Sequence, residues 1–264
     1  MHSLHRLLPA FATTVLLASL LISGICQAQE AKPVYEMRTY VALEGRLDAL
    51  LKRFREHTCT LFEKHGMKNI GYWVPLDKAD GADTTLIYIL SHASLESAKA
   101  SWKAFSADPE WQAARKASEA DGKILARAPE SVFLSTTDYS PPVVVKKADK
   151  DRVFELRIYT TPAGRLPDLH RRFRDHTMAL FTKHGMTHIG YWSPLPGQPD
   201  ADVRLTYILA HDSRDAGQAA FTAFRADPAW ITAKAESEKN GSLTISPGGV
   251  KSIYMRALDF SPIQ

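Results

Sequence analysis

Two short polar runs hold the residues best able to do chemistry. Glu36-x-Arg38-x-Tyr40 and Glu155-x-Arg157-x-Tyr159 each place a carboxylate, a guanidinium and a phenol at every second position. On an extended chain that spacing puts all three side chains on one face. Two tasks suit such a face. Arginine grips an anion and tyrosine supplies a hydrogen bond or an aromatic wall, which is the lining of a small-molecule site. Alternatively, Glu36 pairs with Arg38 and Glu155 with Arg157 as a salt-bridge lattice that fixes how two surfaces meet, since buried charges are costly unless paired or hydrated. The sequence leaves both readings open.

Other side chains are weaker candidates. Trp73 and Trp192 share strand parity with Gly71 and Gly190, and alternation does not say which face of the sheet they take. Tryptophan on a half-buried strand is more often packing than ligand stacking. His57 and His176 lie within a turn of Phe54 and Phe173, beside Arg53 and Arg172; a hydrogen-bonded histidine at a helix boundary is the plainer reading, a catalytic base the sharper one. His65 and His184 precede a capping glycine, where positive charge suits a helix C-terminus, and His92 and His211 follow a strand and begin a loop. No HxxxH, HxH or CxxC spacing is present, so no metal site is expected. Without GxGxxG, GxxxxGK or GxSxG, nucleotide cofactors and serine-hydrolase chemistry are poor fits, and no cofactor is expected. A haem held by one axial histidine would leave no motif.

The polar runs stand in a larger repeat. At an offset of 119 residues, Arg53-Phe54-Arg55-Glu56-His57-Thr58 returns as Arg172-Phe173-Arg174-Asp175-His176-Thr177, Lys64-His65-Gly66-Met67 as Lys183-His184-Gly185-Met186, and Ile70-Gly71-Tyr72-Trp73 as Ile189-Gly190-Tyr191-Trp192. The chain is a tandem duplication. Each copy reads in the same order. A first strand, Pro33 to Val41, alternates Tyr35, Met37 and Thr39 against Glu36, Arg38 and Tyr40. An amphipathic helix over Gly45 to His65 ends at Gly66, and in the second copy Pro167 requires the helix to begin near Arg165 or Leu166. Lys68 to Val74 and Thr84 to Ser91 read as strands. Ser94 caps a helix burying Leu95, Ala98, Trp102 and Phe105, and Asp108-Pro109 restarts a shorter one around Trp111. A last strand, Val132 to Thr136 or Ile253 to Ala257, closes each copy. The second copy has two extra residues, most easily placed around Pro247-Gly248-Gly249.

Strand, helix, strand, strand, helix, strand is the ferredoxin-like βαββαβ pattern, an α+β fold with an antiparallel sheet and its helices on one face. The expected organisation is one such domain over 33–141, a linker over 142–152 and a second domain over 153–262. Each sheet leaves one face bare, and the copies can cover each other there. With Tyr35, Met37 and Thr39 packed on the helices, the six polar side chains would then line a space between the sheets.

Composition narrows the function classes. At 264 residues, 45% hydrophobic and 23% charged, the chain can build two ordinary cores. A net charge of +4 without any basic block excludes an expectation of nucleic-acid binding. Weakly basic His2 to Arg6, apolar Leu7 to Ile25 and small residues at Cys26-Gln27-Ala28 read as a secretory signal over 1–28, expected to be cut after Ala28, which would leave no stable membrane anchor and a periplasmic or secreted protein; a short transmembrane anchor or a lipid anchor at Cys26 is the alternative. Cys59 is then the lone cysteine, a small buried hydrophobe rather than a reactive thiol.

The combination of Glu36-x-Arg38-x-Tyr40, the Arg53-Phe54-Arg55 helix with His57, Gly71-Tyr72-Trp73 and Trp102-x-x-Phe105-x-x-Asp108-Pro109-x-Trp111 resembles the NIPSNAP family. That resemblance implies a dimeric α/β-barrel arrangement, here a pseudo-dimer within one chain; it implies no particular reaction. Three functions remain: an exported module binding a small anionic or aromatic molecule, a cofactor-independent oxygenase or isomerase using Arg38, Tyr40 and His57 or their counterparts, or a structural or interaction protein without a ligand. A small-molecule ligand and a homo-oligomer are the partners to consider.

Overall fold

The β-branched and aromatic runs form eight strands in the computed structural model, which describes residues 1–2, 32–148 and 151–264. Residues 3–28 of the expected signal segment lie outside the described residues. The strands are β1 (Val34–Val41), β2 (Lys68–Pro75), β3 (Thr85–His92), β4 (Glu130–Thr136), β5 (Val153–Thr160), β6 (Thr187–Pro194), β7 (Arg204–His211) and β8 (Val250–Ala257). All pairings are antiparallel. Within the first copy the order is β4-β1-β3-β2, and within the second β8-β5-β7-β6. Short ladders, Trp73 to Pro75 against Ala257 to Met255 and Leu134 to Thr136 against Pro194 to Trp192, join the copies edge to edge. The result is one closed barrel, β1-β3-β2-β8-β5-β7-β6-β4. Closure removes the free edges that two separate sheets would expose. Residues Ala31–Gln264 accordingly form a single compact unit, so the repeats are halves of one barrel.

The helices cover the outside. In the first copy α1 (Leu47–Arg53) and α2 (Cys59–Lys64) run on through a π turn at Phe54–Thr58, and the same turn recurs at Phe173–Thr177 between α5 (Leu166–Arg172) and α6 (Met178–Lys183). Thr58 and Thr177 hydroxyls donate to the carbonyls of Arg53 and Arg172, five residues earlier, across the wide turn. Gly66 and Gly185 end these segments at φ +75° and +77°, as a left-handed cap requires. Ser94 accepts from Ser97 N–H at the start of α3 (Leu95–Ala107), and Asp108 caps α4 (Pro109–Ser118); α7 (Arg214–Ala226) and α8 (Pro228–Ser237) repeat the pattern from Ser213 and Asp227. The segments ending each copy cross to the other half: Arg55 binds Asp259 through two 2.8 Å bonds, and Arg174 binds Asp138 likewise.

Which strand face is inside differs from the expectation. Tyr35, Met37, Ile87, Ile89, Phe154, Leu156, Ile208, Met255, Trp73 and Trp192 fill the barrel, and Val143 and Val145 of the connecting segment pack on the same cluster. Glu36, Arg38, Tyr40, Glu155, Arg157 and Tyr159 point outward, beneath the helices. Closing the barrel buries the inter-sheet face with little access to water, so the apolar parity belongs there, whereas the helix layer supplies hydrogen-bond donors and an open edge. Trp73 and Trp192 are both fully buried. Each indole folds back over Gly71 or Gly190, which resolves why the two residue types share parity.

Candidate functional site

Beneath α3, the Glu36 carboxylate is fully buried and has four donors. Arg38 and Ser131 donate to Oε1, both at 2.6 Å, while His92 at 3.0 Å and the Trp102 indole N–H at 2.6 Å reach Oε2. The second copy rebuilds the constellation: Arg157 at 2.6 Å and Ser252 at 2.5 Å on Glu155 Oε1, His211 at 3.0 Å on Oε2. Burial pushes each carboxyl up, but these donors outweigh it. Glu36 is held at about 2, and Glu155 is also lowered, with His211 and Arg157 as its strongest counterweights. Both arginine guanidiniums are raised above their ordinary range despite burial, by the tyrosines and glutamate facing them.

The geometry predicts acid sensitivity. A carboxyl lowered from 4.5 to about 2 contributes stability that is full above pH ~4.5 and is lost as pH falls through about 2, worth about 3 kcal/mol. Urea midpoints measured from pH 5 to pH 2 are expected to fall steeply for the natural protein and less steeply for Glu36→Gln.

The ion pairs Glu36–Arg38 and Glu155–Arg157 are present, but on the outer face of the sheet beneath the helices, where they link neighbouring strands of one half rather than the two halves. His92 and His211, which the sequence suggests only as loop starters, are the buried partners of the carboxylates. Their signal was their equal spacing, 56 residues after each glutamate. His57 and His176 instead sit exposed on the π turns, away from this cluster. His65 and His184 bind the cap carboxylates of Asp108 and Asp227 at 2.7 and 2.8 Å, a role beyond the helix dipole alone. Asp227 is lowered to about 2 by Lys183 and His184. Cys59 is half-buried and its thiol is pushed up to about 12, chiefly by burial, which keeps it protonated.

In the second half the cluster opens onto a cavity of about 710 Å³ between β5 and the α7–α8 pair. Arg157, Arg172, Arg225 and Lys234 bring positive charge to it against one lining acid, Glu238. Tyr159, Phe221, Phe224 and Trp230 supply aromatic walls, and exposed Ile231 and Val250 form part of the lining. The Arg157 guanidinium lies 4.3 Å from the centre of the Phe221 ring and donates to the Tyr159 hydroxyl at 3.2 Å. Arg172 reaches inward from the residue before the π turn and pairs with Glu238 at 2.8 Å. A second cleft, of about 410 Å³, shares Arg157, Phe221 and Arg225 and continues to Glu155, Ser252 and Tyr254. Of the residues singled out in the sequence, Arg157 and Tyr159 meet in the larger cavity, with Glu155 in the adjoining cleft; Trp73, Trp192, His57 and His176 do not. Phe221, Arg225 and Lys234 were missed, because all three differ from their counterparts Trp102, Ser106 and Arg115 and so fell outside the repeat signature. Among the described residues, no cluster of three or more histidine, cysteine, aspartate or glutamate side chains is placed to hold a metal ion, and no helix is long and apolar enough to cross a membrane.

A closed antiparallel barrel made of two repeats, with helices outside, is a dimeric α/β-barrel-like fold. Among solved structures, a candidate monooxygenase from Fusobacterium nucleatum superposes with a TM-score of 0.55 at 9% identity, covering 87% of this chain and 94% of its own. Another, from Lactobacillus acidophilus, gives 0.51 at 11% identity over 86% of this chain and 100% of its own. A NIPSNAP family protein from Agrobacterium tumefaciens is 24% identical over 42% of this chain and 98% of its own, with a TM-score of 0.36. No curated protein matches the chain. The NIPSNAP family model matches residues 35–141 and again 154–262. The chain belongs to the NIPSNAP family, with two copies in tandem.

Proposed function

We propose that the second repeat binds a small organic anion with a flat aromatic or apolar body, in the cavity between β5 and helices α7 and α8. The observation that carries this is Arg157. Its guanidinium is anchored by Glu155, stacked on Phe221 and only 12% exposed, yet it lines the cavity. An arginine held rigid by a buried carboxylate loses little freedom on meeting an anion, and Arg225 and Lys234 add attraction at the rim. The rings give the body of the ligand somewhere to stack.

In this reading each half is a ferredoxin-like unit and the protein works after export, the latter resting on the signal-like run from Leu7 to Ala28. The reading includes no reaction. The candidate monooxygenases share the fold at 9% and 11% identity, which speaks for architecture and not for chemistry.

Calorimetric titration with naphthalene-2-carboxylate tests the proposal. One acid per chain is expected. Arg225→Glu with Lys234→Glu should weaken it about tenfold or more without lowering the melting temperature, because both side chains are exposed. Unchanged affinity in that variant would remove the anionic part of the reading.

A further inference from the structure

The two buried carboxylates differ by one donor. In both halves Oε1 accepts from an arginine and a serine, and Oε2 accepts from a histidine at 3.0 Å. In the first half the indole N–H of Trp102 completes Oε2. Its counterpart in the second half is Phe221, which has no N–H to give. The arginine lies 4.3 Å from the ring centre in both cases, so the cation–ring contact is kept while the donor is lost. What stands beside Glu155 instead is the 410 Å³ cleft bounded by Phe221, Gln218, Ser252 and Tyr254.

We infer that the ligand of the second half carries an aromatic N–H, which donates to Glu155 Oε2 from this cleft and supplies the bond that the Trp102 indole gives Glu36. This rests on the binding reading above and makes indole-like acids the tighter-binding members of that ligand class. The first half thus shows, inside the same chain, the contact that the second half leaves for its ligand. A buried carboxylate oxygen that borders a cleft gains a charge-assisted bond when a second donor arrives, so a ring that cannot supply one binds more weakly. Trp102 would by the same logic close the equivalent place in the first half, giving one site per chain.

The experiment compares indole-3-acetate with 1-methylindole-3-acetate on the full chain by calorimetry. Indole-3-acetate is expected to bind at one per chain, and the N-methyl compound about tenfold or more weaker. Phe221→Trp should abolish binding of indole-3-acetate with the far-ultraviolet spectrum unchanged, and Trp102→Phe should raise the stoichiometry from one to two. Equal affinity of the two acids overturns the inference, as does undiminished binding by Phe221→Trp or a folded Trp102→Phe that still takes one. Should naphthalene-2-carboxylate bind while the indole acids do not, the N–H requirement fails and the binding proposal stands; should none of the three bind, both fail.

Discussion

Glu36→Ala is expected to lower unfolding stability by about 3–5 kcal/mol, the usual range for removing one partner of a buried charged cluster. The loss exceeds that of four ordinary hydrogen bonds to solvent-exposed groups because of what remains. Arg38 and His92 would be left with charge or N–H aimed at an empty space, and Ser131 and the Trp102 indole would lose the acceptor that fixes them. For a barrel of this size the melting temperature should fall by about 10 °C. Glu155→Ala is expected to cost less, since Glu155 lacks the fourth donor. Thermal melts of the two variants side by side check both the size and the order of the effects.

Gly71→Ala is expected to be about as damaging, by a different route. A Cβ there would sit 2.2 Å from Cη2 and 2.4 Å from Cζ2 of Trp73. Non-bonded carbon atoms do not approach so closely, so the indole or the strand must move, and the indole is fully buried among the other side chains that fill the barrel. Overpacking usually costs about 1–3 kcal/mol, and displacing a fully buried tryptophan pushes this above about 3 kcal/mol. Coupling is the specific test. In the double variant Gly71→Ala, Trp73→Phe the smaller ring should accommodate the new methyl, so the combined loss should be clearly less than the two single losses added together. Additive losses in a urea titration would mean that the contact between Gly71 and Trp73 is not what makes the glycine necessary.

The repeat, the element order and most boundaries were legible in the sequence because they rest on local physics. Gly66 had to sit at a left-handed cap, Pro167 had to lie in a first turn, and Asp108-Pro109 had to restart a helix. The face taken by Glu36 and Arg38 was not legible in this way. Alternation separates two faces but does not say which is enclosed, and the intuition that helices cover the apolar face fails when the other face closes into a barrel. Tyr35 and Met37 went inside, and the charges found Trp102, His92 and Ser131, residues 95 or fewer positions away in sequence but brought together only by the sheet register and helix packing. The candidate site suffered from a related blind spot. Agreement between the copies drew attention to what they share, whereas the cavity is made by Phe221, Arg225 and Lys234, where they differ.

The most direct measurement is a crystal structure of the protein grown with naphthalene-2-carboxylate. The account predicts one bound acid in the second half, its carboxylate about 3 Å from a nitrogen of Arg157 or Arg225 and its rings against Phe221 or Trp230. An acid found inside the barrel against Trp73 and Trp192, or bound to neither half at saturating concentration, would contradict it.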